Sequence, residues 1–497
     1  MQPWPTSTRS KRRRWRRPAR SANGKRRGGS SACSVSSTRR PRLGVCAAET
    51  RHVGGRIQQY ADDVSSVCVR PVAAVPTVPP RLAPEGHLAF FIADTIAALD
   101  LQAFYAPYEG DGRRNQPFDP QMMVTVLLYA YATGTFSSRR IARRLEEDVA
   151  YRVLAAGNFP AHRTIVDFRQ QHLAAFEALF VQVVRIAREA GVVQLGALAV
   201  DGSKVKANAS KHKAMSYGRM REEETRLRAQ IAALTAQAEA SDAAEDAAHG
   251  PDVRGDELPT ELRRREQRLA TIAAAKARLE ARHAEQDRQR GRTPDDGRKS
   301  RGSRPFARDF GVPPDDAQDN FTDPESRIMK TTLGFDQCYN GQIAVDEASQ
   351  MIVATGLTPC AADTGELLPL VDQAQTTLGA PPSEVLADAG YRAEATFQTL
   401  ETRQITAYIA VGREGQPTTT PNPSRAATHR MATRLASAHG RARYRRRKAI
   451  VEPVFGWIKA VLGFRRFSLR GEAKVRGEWN VVCLAVNLKR FHRIQLA

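Results

Sequence analysis

Val385-Leu386-Ala387-Asp388-Ala389-Gly390-Tyr391 is a short apolar run that stops on a carboxylate and turns at once through Ala-Gly. A run this short reads as a buried strand with its acid at the end. Two other stretches share that character. Ala199-Val200-Asp201-Gly202-Ser203-Lys204 closes a strand expected over residues 197–201. Arg447-Lys448-Ala449-Ile450-Val451-Glu452-Pro453-Val454-Phe455-Gly456 sets a glutamate beside a proline at the opening of an apolar helix. Three carboxylates that converge in space can hold two divalent metal ions, and two metals can cut and rejoin phosphodiester bonds.

Outward from Asp388, strand signals lie at Phe335 to Asp346, Met351 to Gly356 and Ile405 to Val411. Between them fall helical patterns, one carrying Leu367, Leu368, Leu370 and Val371, another over 393–403. Residues 413–428 read as a Thr/Pro-rich loop, followed by helices over 448–462 and 474–491. From 216 to 292 the chain is charged and Ala-rich. Leu227, Ile231 and Leu234 mark one helical stripe, and Leu262, Leu269, Ile272 and Leu279 mark a second, with Gly250-Pro251 and Gly255 between them. That pattern predicts an antiparallel helical hairpin, with a flexible linker over 291–319. Without this insertion the order is three antiparallel strands, then alternating helices and strands, which is the ribonuclease H-like order.

The expected architecture is therefore α/β: a ribonuclease H-like mixed sheet with flanking helices, interrupted by an α-helical hairpin insertion and preceded by an all-α N-terminal domain. The boundaries are 1–80 for a basic, disordered extension, 81–192 for a helical DNA-binding domain, 193–215 with 318–495 for the catalytic domain, and 216–317 for the hairpin and linker. In the helical part, Asp119-Pro120 is an N-cap with a first-turn proline. A helix capped by Ser137 or Ser138 carries Arg139, Arg140, Arg143 and Arg144 beside Ile141 and Leu145. Arginines on one outer face suit DNA docking, and an ordinary bundle with a solvated face fits equally well.

The net charge of +23 implies a polyanionic partner, most simply nucleic acid. The charge is uneven. Residues 1–60 hold sixteen Lys/Arg against the single acid Glu49, and Lys11 to Arg17 would bind phosphates without sequence preference. The six cysteines are scattered with no C-x-x-C pair, which points away from a zinc ribbon or a disulfide framework and toward a reducing cytosol. No apolar run is long enough to span a bilayer, and the basic N-terminus lacks a secretory apolar core.

The chemistry expected of the acids is metal chemistry. Magnesium takes oxygen ligands and keeps several waters, so two or three carboxylates plus substrate phosphate suffice. Asp201 would bridge two Mg2+ (or Mn2+) ions, and Asp388 and Glu452 would each complete one shell. Each acid alone has a plainer reading, Asp before Gly as a turn residue and Glu as a cap or ion-pair partner. Because Pro453 is tolerated only in a first turn, Glu452 is expected near a helix N-cap, with Lys448 in the approach and Lys459 seven residues on. Residues 415–451 hold nine Lys/Arg and no acid, including Arg445, Arg446, Arg447 and Lys448. Such a stretch suits DNA approaching an acidic site. Trp457 and Tyr444 are candidates for base stacking, with a core role the commoner fate of Trp457. His162, Asp346 and Asp363 read as structural.

At these residues the chain resembles DDE-type transposases of bacterial insertion sequences, over roughly residues 75–495. The motifs that carry the likeness are Asp388-Ala389-Gly390-Tyr391, the stretch around Glu452, Phe118-Asp119-Pro120, Leu127-Leu128-Tyr129-Ala130-Tyr131, Ser137-Ser138-Arg139, His162-Arg163-Thr164-Ile165, and Asn320 to Lys330 with Gly334 to Asp346. The resemblance implies that Asp201, Asp388 and Glu452 bind the metals. It also implies a Tyr and an Arg before the glutamate and a Lys seven residues after it. Lys459 keeps that spacing, Lys448 replaces the Arg, and Tyr444 sits one residue too far. Transposition of the enzyme's own element would follow, with binding to terminal inverted repeats of double-stranded DNA, two copies in the synaptic complex, and a bacterial cytoplasmic, nucleoid-associated setting. The alternatives are a ribonuclease H-like nuclease that only cuts, and a decayed DNA-binding remnant.

Overall fold

The computed structural model describes residues 84, 86–109, 117–249, 260–296, 306–332, 334–412 and 425–496. The basic extension expected over 1–80 lies outside them. Seven helices come first: α1 (Leu88–Ala97), α2 (Gln102–Tyr105), α3 (Pro120–Ala132), α4 (Ser138–Glu147), α5 (Val149–Leu154), α6 (His162–Gln171) and α7 (Leu173–Glu189). Asp119 caps α3 as its sequence predicts, accepting from the Gln121 and Met122 N–H groups at 3.2 and 3.4 Å. The Tyr105 hydroxyl donates to the same carboxylate at 2.6 Å. α3 is buried along its whole length, so it forms the centre of the helical part rather than a face of it. α6 and α7 are separated by a break at His172.

The chain then enters the sheet with β1 (Ala197–Lys206) and leaves it through β2 (Ala214–Ser216) into α8 (Tyr217–His249) and α9 (Thr260–Gln289). Tyr217, Met220, Leu227, Ile272, Ala275 and Leu279 form a small core separate from the main one. The return runs through β3 (Gln318–Asn320), paired with β2, to β4 (Arg327–Thr331), β5 (Gly334–Asp346), β6 (Ile352–Thr358), α10 (Leu367–Leu378), β7 (Glu384–Ala387), α11 (Glu394–Thr402), β8 (Thr406–Ile409), α12 (Ala426–Ala436), α13 (Ala438–Gly456) and α14 (Glu472–Gln495). The described ends of the expected linker are pinned. Arg308 Nη1 and Nη2 each donate to Asp287 at 2.7 Å, and Arg292 Nε donates to Asp296 at 2.6 Å.

The main sheet is mixed. Its order is β4-β5-β1-β7-β8, with β6 also pairing along β5. β5 is antiparallel to β1, β4 and β6, while β1, β7 and β8 are parallel. α14 packs against α3, α7 and β6. Its Asn487 pairs with the Ile352 backbone like a strand would, accepting from the N–H at 2.8 Å and donating to the carbonyl at 2.7 Å. Trp479 of α14 lies over Gly341, where a Cβ would stand 2.9 Å from the ring, so only glycine admits that packing.

Two expectations fail around α13. The helix begins ten residues before the expected start, capped by Ser437, whose Oγ accepts from the Gly440 N–H at 2.9 Å. Glu452 and Pro453 therefore lie deep in the helix, not at its N-cap, and Lys448 is part of it. Proline inside a helix removes one N–H and leaves the carbonyl four residues back without its partner. That carbonyl belongs to Ala449, and Gln350 Nε2 donates to it at 3.0 Å. Beyond Gly456 the helix loosens into a π turn over Trp457–Val461. α12 occupies part of what reads as loop in the sequence.

Candidate active site

β1 and β7 lie side by side with Ala199 opposite Leu386. Asp201 is two residues beyond the first, Asp388 two beyond the second. A strand repeats its side-chain direction every second residue, so parallel register carries both carboxylates to one level at the same end of the sheet. They open into one cleft of about 750 Å3, which Asp363, Lys204, Lys206, Lys330, Lys459 and Arg465 also line. Asp201 Oδ1 accepts from the Gly202 N–H at 2.8 Å, and its Oδ2 from Arg447 Nη1 at 3.0 Å. Asp388 Oδ1 accepts from the Gly390 N–H at 2.8 Å. Its Oδ2 has no hydrogen-bond partner among the described residues.

Asp363, which reads as structural in the sequence, stands between them. Its Oδ1 accepts from Asn340 Nδ2 at 2.8 Å and Gln342 Nε2 at 2.6 Å. The buried Tyr391 hydroxyl donates to Gln342 Oε1 and orients that amide. A Cβ on Gly202 would meet Asp363 Oδ1 at 2.6 Å, and one on Gly390 would meet Asp363 Oδ2 at 2.7 Å and Asp388 Oδ1 at 2.9 Å. A side chain at either glycine would therefore displace the Asp363 carboxylate. The only sequence signal for Asp363 is a lone acid in the loop after β6.

Burial disfavours the charge of Asp201 and is the largest influence on it. Arg447 opposes that effect, and the charges of Asp388 and Asp363 reinforce it, so the carboxyl is pushed up to about 6. Lys459 Nζ donates to Ser203 Oγ at 2.5 Å and to the Lys204 carbonyl at 2.8 Å. Burial lowers its pKa. Its positive charge is held at the cleft by neutral oxygens and no carboxylate.

Glu452 is exposed and does not line this cleft. The link between it and the aspartates is Arg447. Burial disfavours the charged guanidinium, yet Asp201, Asp388 and Glu452 outweigh that and raise its pKa. Arg447 is buried, while Lys448 is exposed. It is therefore Arg447, three residues after Tyr444 and 5.9 Å from its ring, that faces Asp201; Lys448 does not take that place. A helix turns about 100° per residue, which sets Lys448 on a different face from Arg447.

The other basic candidates divide. Arg446 pairs with Glu347 at 3.2 Å, whereas Arg445 is exposed with no ion pair among the described residues. Arg139, Arg140, Arg143 and Arg144 are all exposed on α4, but Arg143 and Arg144 pair with Glu147 and Asp148 at 3.8 and 3.2 Å. His162 opens α6. Asp346 is buried and accepts from the Ser349 N–H and Oγ at 2.9 and 2.7 Å, a turn-fixing role.

Hard carboxylate oxygens suit magnesium or manganese, and the unbonded Asp388 Oδ2 beside Asp201 fits such an ion. Among the described residues no three His, Cys, Asp or Glu side chains stand close enough to cage an ion unaided. Glu452, exposed on α13, does not line the cleft that Asp201 and Asp388 share.

Residues 321–488 match the family described as the transposase DDE domain, and residues 80–171 match the transposase domain DUF772. The chain belongs to the DDE-type insertion-sequence transposases. Such proteins act on DNA. No curated protein and no solved structure gives a significant match. Among the described residues no single helix is long and apolar enough to cross a membrane.

Proposed function

We propose that this transposase cleaves DNA at the ends of its own insertion sequence and joins the freed 3′-hydroxyl to a target. Its catalytic acids would be Asp201 and Asp388, on a ribonuclease H-like sheet, and Glu452, on α13. The observation that carries this reading is the parallel β1–β7 register, which opens Asp201 and Asp388 into one cleft rimmed by lysines. A bound Mg2+ or Mn2+ ion, or a pair of them, would supply activation of the attacking oxygen and stabilisation of the leaving one. Asp201 and Asp388 would hold it from the sheet, and Glu452 would join from α13 once DNA is bound. Lys459, Lys204 and Lys330 would take phosphates of the entering strand. Arg447 fixes the Asp201 carboxylate and balances its charge. Arg139, Arg140 and Arg445, which have no ion pair among the described residues, and the neighbouring Arg143, Arg144, Arg446 and Lys448, would contact duplex phosphates, with the terminal inverted repeats read by the helical part. Bringing two ends together calls for a homodimer.

The test is incubation of the full chain with Mg2+ and a labelled duplex carrying the element's terminal repeat. Joined products are expected. Cleavage without joining would favour a nuclease that only cuts, and retarded but uncut DNA a binding remnant.

A further inference from the structure

A second concavity lies on the other side of α13 from the Asp201 contact. It measures about 80 Å3, well above the roughly 10–15 Å3 that one water needs. Pro453, Val454 and Trp457 form one wall, and Lys489, Arg490 and Arg493 of α14 form the other. No carboxylate is among its described lining residues. Each cation is held in place by something neutral. Lys489 Nζ donates to the Ala132 carbonyl at 2.9 Å, and Arg490 Nε to the Ser349 carbonyl at 2.7 Å. The Arg493 guanidinium stacks on Trp457, 4.1 Å from the ring centroid. Lys489 is half-buried, and burial together with the nearby Arg493 lowers its pKa. Three convergent cations with no counter-charge repel one another, so the arrangement is unfavourable until an anion enters.

We propose that this pocket binds a backbone phosphate of the DNA strand that runs past Glu452. The inference rests on the transposase reading for the identity of the polyanion. Phosphate is favoured over a nucleobase because Arg493 already occupies the Trp457 face and is itself exposed, and a guanidinium is suited to taking phosphate oxygens in pairs. Pro453, next to Glu452 in the chain, ties the pocket to the acid-bearing helix. The tie of Lys489 to Ala132, at the end of α3, ties it to the helical part.

The experiment is a salt titration of binding to a random-sequence duplex by the full chain, followed by fluorescence anisotropy. Loss of one phosphate contact lowers the slope of log K against log salt by about 1. Arg493→Ala should show that decrease, and Arg493→Glu a larger one. Arg493→Lys should keep most of the slope. Exposed substitutions of this kind rarely unfold a protein, and an unchanged melting curve verifies it. Wild-type slope and affinity in both Arg493→Ala and Arg493→Glu would overturn the proposal, while cleavage by the wild type would leave the transposase reading standing. A change in mass by light scattering with an unchanged slope would also overturn it, placing a second copy in the pocket. Binding by wild type without joined products would sink strand transfer and leave the pocket intact.

Discussion

The α8–α9 hairpin and the cleft at β1 both bury acids, but they treat them oppositely. In the hairpin each buried carboxylate meets at least two cations. Asp319 accepts from Arg278 and Arg282 at 2.7 and 2.8 Å, and Glu224 from Arg228 and Lys276 at 2.6 and 3.0 Å. Asp287 is buried too, yet bonds from Arg308 and the Gly311 N–H outweigh burial and hold its pKa below the usual range. In the cleft, Asp201 has the one ion pair with Arg447, Asp363 is held by the amides of Asn340 and Gln342, and Lys459 donates to neutral oxygens. A fully compensated acid holds a fold together. An under-compensated one, kept ionisable in a concave site, is the mark of chemistry.

The largest effect expected from this contrast is on activity. Asp201→Asn or Asp388→Asn should reduce strand cleavage by a factor on the order of 10^3 or more, with a melting temperature within a few degrees of wild type. Asp319→Asn should do the reverse. It leaves Arg278 and Arg282 without a full counter-charge, and the loss is about 2–3 kcal/mol, less than for a wholly buried pair because Arg278 is partly exposed. Its cleavage, measured below its melting point, should stay near wild type. Equal loss of cleavage in Asp319→Asn would break the contrast by making the hairpin part of the active site.

Acid sharpens the same contrast in metal-free protein. Asp201 is raised to about 6, so between about pH 4 and 6 the folded state binds more protons there than the unfolded one. Stability from this group therefore rises as pH falls through 6. Asp287 is lowered, so its contribution is present above its unfolded value and disappears only as pH falls through a lower folded one. In EDTA, wild type should gain on the order of 2 kcal/mol over Asp201→Asn between pH 7 and 4.5. The deficit of Asp287→Asn should persist over that range. Parallel denaturation curves for wild type and Asp201→Asn at every pH would refute the first half.

Much of the sheet was legible because its strands are short apolar runs punctuated by acids and glycines. The position of Asp388 just after its strand followed directly from that, and so did the stripes on α8 and α9, whereas the strand expected to close at Asp201 runs on to Lys206. What escaped is what depends on partners distant in sequence. Asp363 is one loop acid among several until Asn340 and Gln342 grip it. Lys448 and Arg447 are interchangeable in composition, and only the start of α13 at Ala438 decides which faces Asp201. The observed start is capped by Ser437, whereas Pro453, read within the sequence, pointed to a later one. A proline rule concerns a single helix in isolation, whereas the missing bond was supplied by Gln350, about a hundred residues earlier.

That neutral bond gives the smallest and most specific prediction. Ion pairs from Arg443 and Arg446 to Glu347 tie the acid-bearing helix to the β5–β6 turn, and one neutral bond adds to them, the Gln350 amide on the Ala449 carbonyl. Gln350 has φ of 57°, a left-handed conformation that glycine adopts more easily. Gln350→Ala loses the donor and keeps the backbone cost, so it should destabilise by about 1 kcal/mol. Gln350→Gly loses the same donor but relieves the turn, and should come out closer to wild type by about 0.5–1 kcal/mol. Adding Pro453→Ala restores the helical N–H to Ala449 and should recover most of the loss in Gln350→Ala, a coupling that urea denaturation of the four-member cycle measures. If the two substitutions are simply additive, Gln350 is not what lets proline sit beside Glu452, and α13 owes its course to its packing and its ion pairs with Glu347, Glu384 and Asp201.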